Sequence, residues 1–178
     1  MHTKEKGQSL IEVLVGMAAV VLIAAAITVA TISSLNNSVY SKNQNLATGY
    51  AQQGIEIVRN LRDRKSSSFT QLNGTYCLAK TCDSIDPTAN GGTSDPCGPK
   101  TTLCDQNVGG ENADIFVRQV VVNPLSSYCQ ENSQNATQGT QVTVNVSWFD
   151  AKCGVSNVFC HTVTLSTCLS AYNTISSQ

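Results

Sequence analysis

From Val13 to Ile32 the chain runs for 20 residues without a charge or a proline. That is the length a helix needs to cross a hydrocarbon layer of roughly 30 Å. Thr28 and Thr31 are the only hydroxyls in the run, and a helix can bond them to its own carbonyls. Polar residues then become frequent, and the period changes. Between Ser33 and Lys65 there is no proline, and Leu35, Val39, Leu46, Tyr50, Ile57, Val58 and Leu61 recur at helical spacing, with Ala51 and Gly54 as small partners. The pattern predicts one helix from Ser9 to about Lys65, apolar all round in its first half and amphipathic in its second. Gly49 and Gly54 are candidate positions for a bend.

Ser66 to Asp114 is irregular and rich in Gly, Asn, Thr, Asp and Pro, with one short strand expected around Phe69, Leu72, Tyr76 and Leu78. Three stronger strands follow. Ile115 to Val122 is apolar enough to be buried and ends at Asn123-Pro124. Gln141 to Phe149 alternates, placing Val142, Val144, Val146 and Trp148 on one face and Thr143, Asn145 and Ser147 on the other. Val158 to Thr167 returns with Phe159, Val163 and Leu165 on one face. The last two form an antiparallel hairpin about a turn containing Gly154. The fold class expected is therefore α+β, a long N-terminal α-helix packed on an antiparallel β-sheet head.

Eight cysteines change this picture of a small, loop-rich head. They stand at Cys77, Cys82, Cys97, Cys104, Cys129, Cys153, Cys160 and Cys168, all beyond the apolar run. An even number confined to one side of a membrane-length segment favours disulfides and an oxidising compartment. No C-x-x-C pair is present, which disfavours a zinc knuckle. Eight cysteines allow 105 pairings, and their spacing does not choose among them, although Cys153 and Cys160 are placed to bridge the hairpin turn. The formal net charge is −1 and 13% of residues are charged, so general nucleic-acid binding is not expected. Arg59, Arg62, Arg64 and Lys65 read as cations at a helix C-terminus.

Glu12 is the anomaly, a carboxylate at the entrance of the apolar run. At that depth it costs about 2–3 kcal/mol without a partner. Before it stand a leader with Lys4 and Lys6, which favours a cytoplasmic N-terminus, and Gly7, which offers a peptidase no side chain.

The stretch Gly7-Gln8-Ser9-Leu10-Ile11-Glu12-Val13-Leu14 resembles the class III signal of type IV prepilins and type II secretion pseudopilins. The resemblance is carried by residues 4 to 35. It implies cleavage after Gly7 by a prepilin peptidase, N-methylation of Gln8, and an assembly role for Glu12, which becomes the fifth residue of the mature chain. Gln8 departs from the phenylalanine usual at that position and points to a minor pilin or pseudopilin. Ala51 to Asp63, together with Val142 to Trp148 and His161 to Leu165, resembles PilV-like minor pilins. The implied partners are the peptidase, other pilin subunits in a helical filament and an assembly platform in the membrane. The implied location is a single membrane pass, N-terminus inside, before assembly and an extracytoplasmic filament after it.

The resemblance divides the chain into a leader (1–7), a membrane and assembly half-helix (8–32), an amphipathic half-helix (33–65) and a β-rich head (66–178) with a cysteine-rich region at 77–114. Physically, an amine exposed at residue 8 could neutralise Glu12 of a neighbouring helix, turning an unfavourable charge into an assembly contact. Alternatives are a type II secretion pseudopilin, a filament-tip adhesin or DNA-uptake module, and a plain single-pass anchored domain. An ordinary secretory signal ending at Ala24-Ala25-Ala26 is opposed by Glu12.

No catalytic constellation or cofactor motif is present in the sequence, so the chain is not expected to be an enzyme. His161 reads as a packed or edge residue on its strand. Asp105 to Gly109 resembles part of a calcium loop but lacks its full ligand set, and an ordinary turn is expected there.

Overall fold

The computed structural model describes residues 6–79, 82, 85, 104, 115–124, 126–129, 139–150, 152–154 and 159–170; of residues 6–9 it describes the helical backbone alone. The chain divides into two compact units, residues 1–42 and 43–178. Helix α1 (Lys6–Arg64) contributes to both.

The first unit is the apolar stretch of α1. Its large side chains, from Leu10 to Ile32, are 54–71% exposed. Its two threonines are satisfied within the helix: Thr28 Oγ1 donates to the Ala24 carbonyl at 2.8 Å and Thr31 Oγ1 to that of Thr28 at 2.9 Å. Leu35 and Val39, expected on the packed stripe, are 66% and 53% exposed and belong to this unit.

The second unit is the last part of α1, a short helix α2 (Ser66–Thr70) and four strands: β1 (Gly74–Cys77), β2 (Phe116–Asn123), β3 (Thr140–Trp148) and β4 (His161–Leu169). The sheet is antiparallel throughout, in the order β1-β2-β3-β4. The α+β expectation holds: a long N-terminal helix and an antiparallel sheet, with disulfides in the head.

One face of the sheet is built in cross-strand rows. Tyr76, Val120, Val144 and Leu165 form one row, and Phe116, Trp148 and His161 another. Val142, Val144 and Val146 are fully buried on this face. Burying one such side chain contributes roughly 1.5–3 kcal/mol. On the opposite face, Thr143 bonds Ser166 and Ser147 bonds Thr162, each at 2.9 Å, and Thr164 donates to Asn145 at 2.8 Å. Such pairs contribute roughly 0.2–1 kcal/mol each. The apolar face therefore sets the register, since a slip of one residue would turn those valines outward.

The helix packs on this face through Ala47, Ala51, Gly54, Val58 and Leu61, all buried. Leu46, expected on the stripe, is 38% exposed. The stripe is made of small residues because the helix lies close to the sheet: a β-carbon on Gly54 would stand 2.9 Å from Val144 Cγ1 and 3.2 Å from Arg118 Cδ. Gly54 thus serves close approach, and the helix is continuous through it and through Gly49.

α1 stops at Arg64, and Lys65 leaves the helical region with φ −140° and ψ 71°. Arg62 and Arg64 occupy the last turn, where cations face exposed carbonyls. Arg59 pairs with Glu56, and Arg62 with Asp63 at 2.8 Å. Phe69 of α2 and Leu72 beyond it are buried but precede the strand expected around them. β1 begins at Gly74, whose φ of +103° requires a glycine.

Phe159 departs from the face expected for it. It packs with Cys77, Cys104 and Val117, and it meets Phe149 edge-on at 6.3 Å. These residues alternate with the helix-facing set, so they lie on the other side of the sheet. The reason is local: β4 begins only at His161, so the two-residue period does not extend back through Cys160.

Candidate functional site

The sequence-derived assembly site is a segment of α1. Glu12 is helical and exposed, among apolar neighbours such as Leu10 (65% exposed), Ile11 (66%), Val13 (57%) and Val15 (65%). A surface this apolar is not stable against water and requires a lipid or protein environment. Helix α1 is long and apolar enough to cross a membrane. Gly7 and Gln8 fall within its backbone, whereas Met1 to Glu5 lie outside the described residues.

What holds the helix to the head is a residue the sequence reading did not single out. Arg118, in the middle of β2, is 1% exposed. Its guanidinium donates from Nε to the Leu78 carbonyl at 3.3 Å, from one terminal nitrogen to the Tyr50 carbonyl at 3.2 Å and to Gln53 Oε1 at 3.0 Å, and from the other to the Ala79 carbonyl at 3.4 Å. The Leu78 amide returns a bond to the Arg118 carbonyl at 3.1 Å, continuing the β1–β2 ladder. One planar fork therefore ties α1, the exit of β1 and β2 together. Burial pushes the Arg118 pKa down to about 10, partly offset by Tyr50, so the group stays charged at neutral pH. A signal for it was present, because Arg118 shares the parity of Phe116, Val120 and Val122.

An aromatic series links the helix to the hairpin end. Tyr50 meets Phe116 edge-on at 5.3 Å, Phe116 meets Trp148 at 6.1 Å, and Trp148 stacks on His161 at 5.2 Å with planes 29° apart. His161 Nε2 lies 3.1 Å from Asp150 Oδ2. Asp150 Oδ1 accepts from the Lys152 amide at 2.8 Å. Burial raises the Asp150 pKa, but the Lys152 amide and the His161 bond and charge outweigh it, leaving the carboxyl below its ordinary value. His161 is thus packed, as its strand position suggests, and also paired.

The cysteines resolve in part. Cys77 pairs with Cys104, Cys129 with Cys168, and Cys153 with Cys160 across the hairpin turn as expected. Cys82 is also disulfide-bonded. Cys97 and residues Asp105 to Gly109, where a turn is expected, lie outside the described residues. Cys129–Cys168 joins the turn before β3 to the far end of β4. There the Ser126 amide donates to the Gly139 carbonyl at 3.2 Å and the Gly139 amide to that of Cys129 at 3.4 Å.

No protein-family model, no curated protein and no solved structure matches the chain.

Proposed function

We propose that the chain is a minor pilin or pseudopilin, a subunit that joins a type IV pilus-like filament through its N-terminal helix. The observation that carries this reading is a single helix whose start is apolar on every side and whose end is buried on a disulfide-bonded sheet. A plain anchor needs the first feature alone. The carboxylate at Glu12, five residues past the glycine Gly7, is what an anchor does not need and an assembly contact does.

In this reading the chain is inserted with its N-terminus inside and is cut after Gly7 by a prepilin peptidase. The new amine of Gln8 is methylated. The mature helix leaves lipid for a bundle of like helices, where Glu12 of one subunit meets the amine of another. Small residues at Gly16, Ala18, Ala19 and Ala24 to Ala26 allow close helix approach. The head then lies on the extracytoplasmic side, where its disulfides are stable.

Expression with a prepilin peptidase, followed by intact-mass measurement and N-terminal sequencing, tests the reading. The expected product begins at Gln8 and carries one added methyl. A chain still beginning at Met1, or one beginning at Ile27, would sink it.

A further inference from the structure

The end of the β3–β4 hairpin brings four ligand-bearing side chains to one point. The ligand atoms of Asp150, Cys153, Cys160 and His161 all lie within 4.8 Å of one another. Two thiols, one imidazole and one carboxylate are a donor set suited to a borderline-soft divalent ion in tetrahedral geometry. Here the cysteines are joined as a disulfide, which cannot supply thiolates. We propose that before this bond forms, the dithiol of Cys153 and Cys160, with Asp150 and His161, holds a zinc-class divalent ion, and that disulfide formation expels it. The inference stands independently of any role in a filament.

The geometry of the two non-sulfur ligands supports the site. Nε2 of His161 and Oδ2 of Asp150 are 3.1 Å apart. With bonds of about 2.0–2.1 Å, the edge of a tetrahedron around zinc is about 3.3 Å. An ion can therefore be held between these two atoms with little movement. Both ligands are also held from behind. The Lys152 amide fixes the other carboxylate oxygen at 2.8 Å, and Trp148 stacks on the imidazole. Such support orients ligands and typically changes metal affinity about 10–100-fold. The absence of a C-x-x-C pair does not count against the site, because Asp150 and Cys153 reach it from one side of the turn and the adjacent Cys160 and His161 from the other.

The steps balance. In the nascent dithiol, metal binding releases two thiol protons. Oxidation then removes two electrons from the bound thiolates and forms the S–S bond. The electrons pass to an acceptor disulfide, which takes up two protons and becomes a dithiol. The ion leaves with half of its ligands gone. In the reverse direction a dithiol reductant supplies two electrons and two protons, and is itself converted to a disulfide.

The test uses the full chain in detergent, reduced with a phosphine and titrated anaerobically with Co2+ as the spectroscopic probe. The comparison is a Cys153→Ser/Cys160→Ser variant, which retains the other six cysteines. The parent should bind one more Co2+ per chain than this variant, with a tetrahedral thiolate spectrum. His161→Gln and Asp150→Asn should each weaken that binding by at least ~10-fold. Equal uptake by parent and double variant, or unchanged affinity in both single variants, overturns the site.

Because full reduction could unfold the head, a second measurement uses limited reduction of the native chain with and without Zn2+, followed by alkylation and peptide mapping. Zn2+ should slow alkylation of Cys153 and Cys160 and leave Cys129 and Cys168 unaffected. Equal rates at all four cysteines also overturn it.

Discussion

Gly54 on the helix and Val144 on the third strand are in such close contact that a β-carbon on Gly54 would stand 2.9 Å from Val144 Cγ1. Val144 is fully buried and β-branched, so it cannot turn aside. Gly54→Ala gains up to ~1 kcal/mol of helix propensity, but overpacking here costs about 1–3 kcal/mol. A net loss of stability is expected. Gly49 has nothing within 4 Å of its would-be β-carbon, so Gly49→Ala should raise stability by up to ~1 kcal/mol. Urea unfolding of the two variants should shift in opposite directions; shifts of the same sign would contradict the close packing at Gly54.

Arg118→Ala should be among the most damaging single substitutions in the head. It leaves the buried carbonyls of Leu78 and Ala79 without their side-chain donor and opens a cavity. The expected loss is about 3–5 kcal/mol. Arg118→Lys should recover only part of it, because one ammonium cannot reproduce a fork that reaches four acceptors. Equal stability of the lysine variant and the parent in a denaturant titration would show that charge, not geometry, is what the site uses.

The Asp150 carboxyl is held below its ordinary pKa, so it contributes stability above the ordinary carboxylate range. That contribution is lost as pH falls through the folded-state value. Asp150→Asn should therefore destabilise the head most at neutral pH and less at an acidic pH below the ordinary carboxylate range, where Asp150 itself takes up a proton. Thermal unfolding at the two pH values gives the comparison. A deficit in the variant of the same size at both would assign the effect to packing.

Glu12→Ala removes the one carboxylate from the start of the apolar helix. Membrane insertion should improve slightly, by about 2–3 kcal/mol at most, and cleavage after Gly7 should persist. Incorporation into filaments should fall at least ~10-fold, the equivalent of losing about 1.4 kcal/mol of contact. Quantitative immunoblotting of sheared filaments against membranes measures this ratio. Normal incorporation would remove Glu12 from the assembly contact.

The apolar run and the alternation of Val142 to Trp148 were legible because hydrophobicity there has one strong period. The helix stripe was harder to read. Ala47, Ala51 and Gly54 carry little hydrophobic signal, and their importance lies in what they permit: an approach that larger residues would prevent. Leu35, Val39 and Leu46 carried the stronger signal and are exposed. Arg118 was hidden for the converse reason. A charged residue reads as surface unless strand parity is followed through it, and its acceptors, Tyr50, Gln53, Leu78 and Ala79, lie in distant segments. The Asp150–His161 pair was likewise beyond local pattern, since it forms only when the hairpin closes. Disulfide pairing followed the same rule: Cys153–Cys160 spans one turn and could be anticipated, whereas Cys77–Cys104 and Cys129–Cys168 are separated by 27 and 39 residues.

Among the described residues β4 lies at the edge of the sheet, hydrogen-bonded to β3 on one side. An edge strand is where peeling starts, one hydrogen-bonded pair at a time from a free end. This strand has no free end. Cys153–Cys160 closes the hairpin at its turn, and Cys129–Cys168 ties the opposite end of β4 to the segment entering β3. The pairs from Trp148–His161 to Gln141–Cys168 all lie between the two covalent bonds, and Thr140–Leu169 alone lies outside them, so peeling from either end is stopped within one pair. Even a single proteolytic cut in the turn would leave the two strands joined.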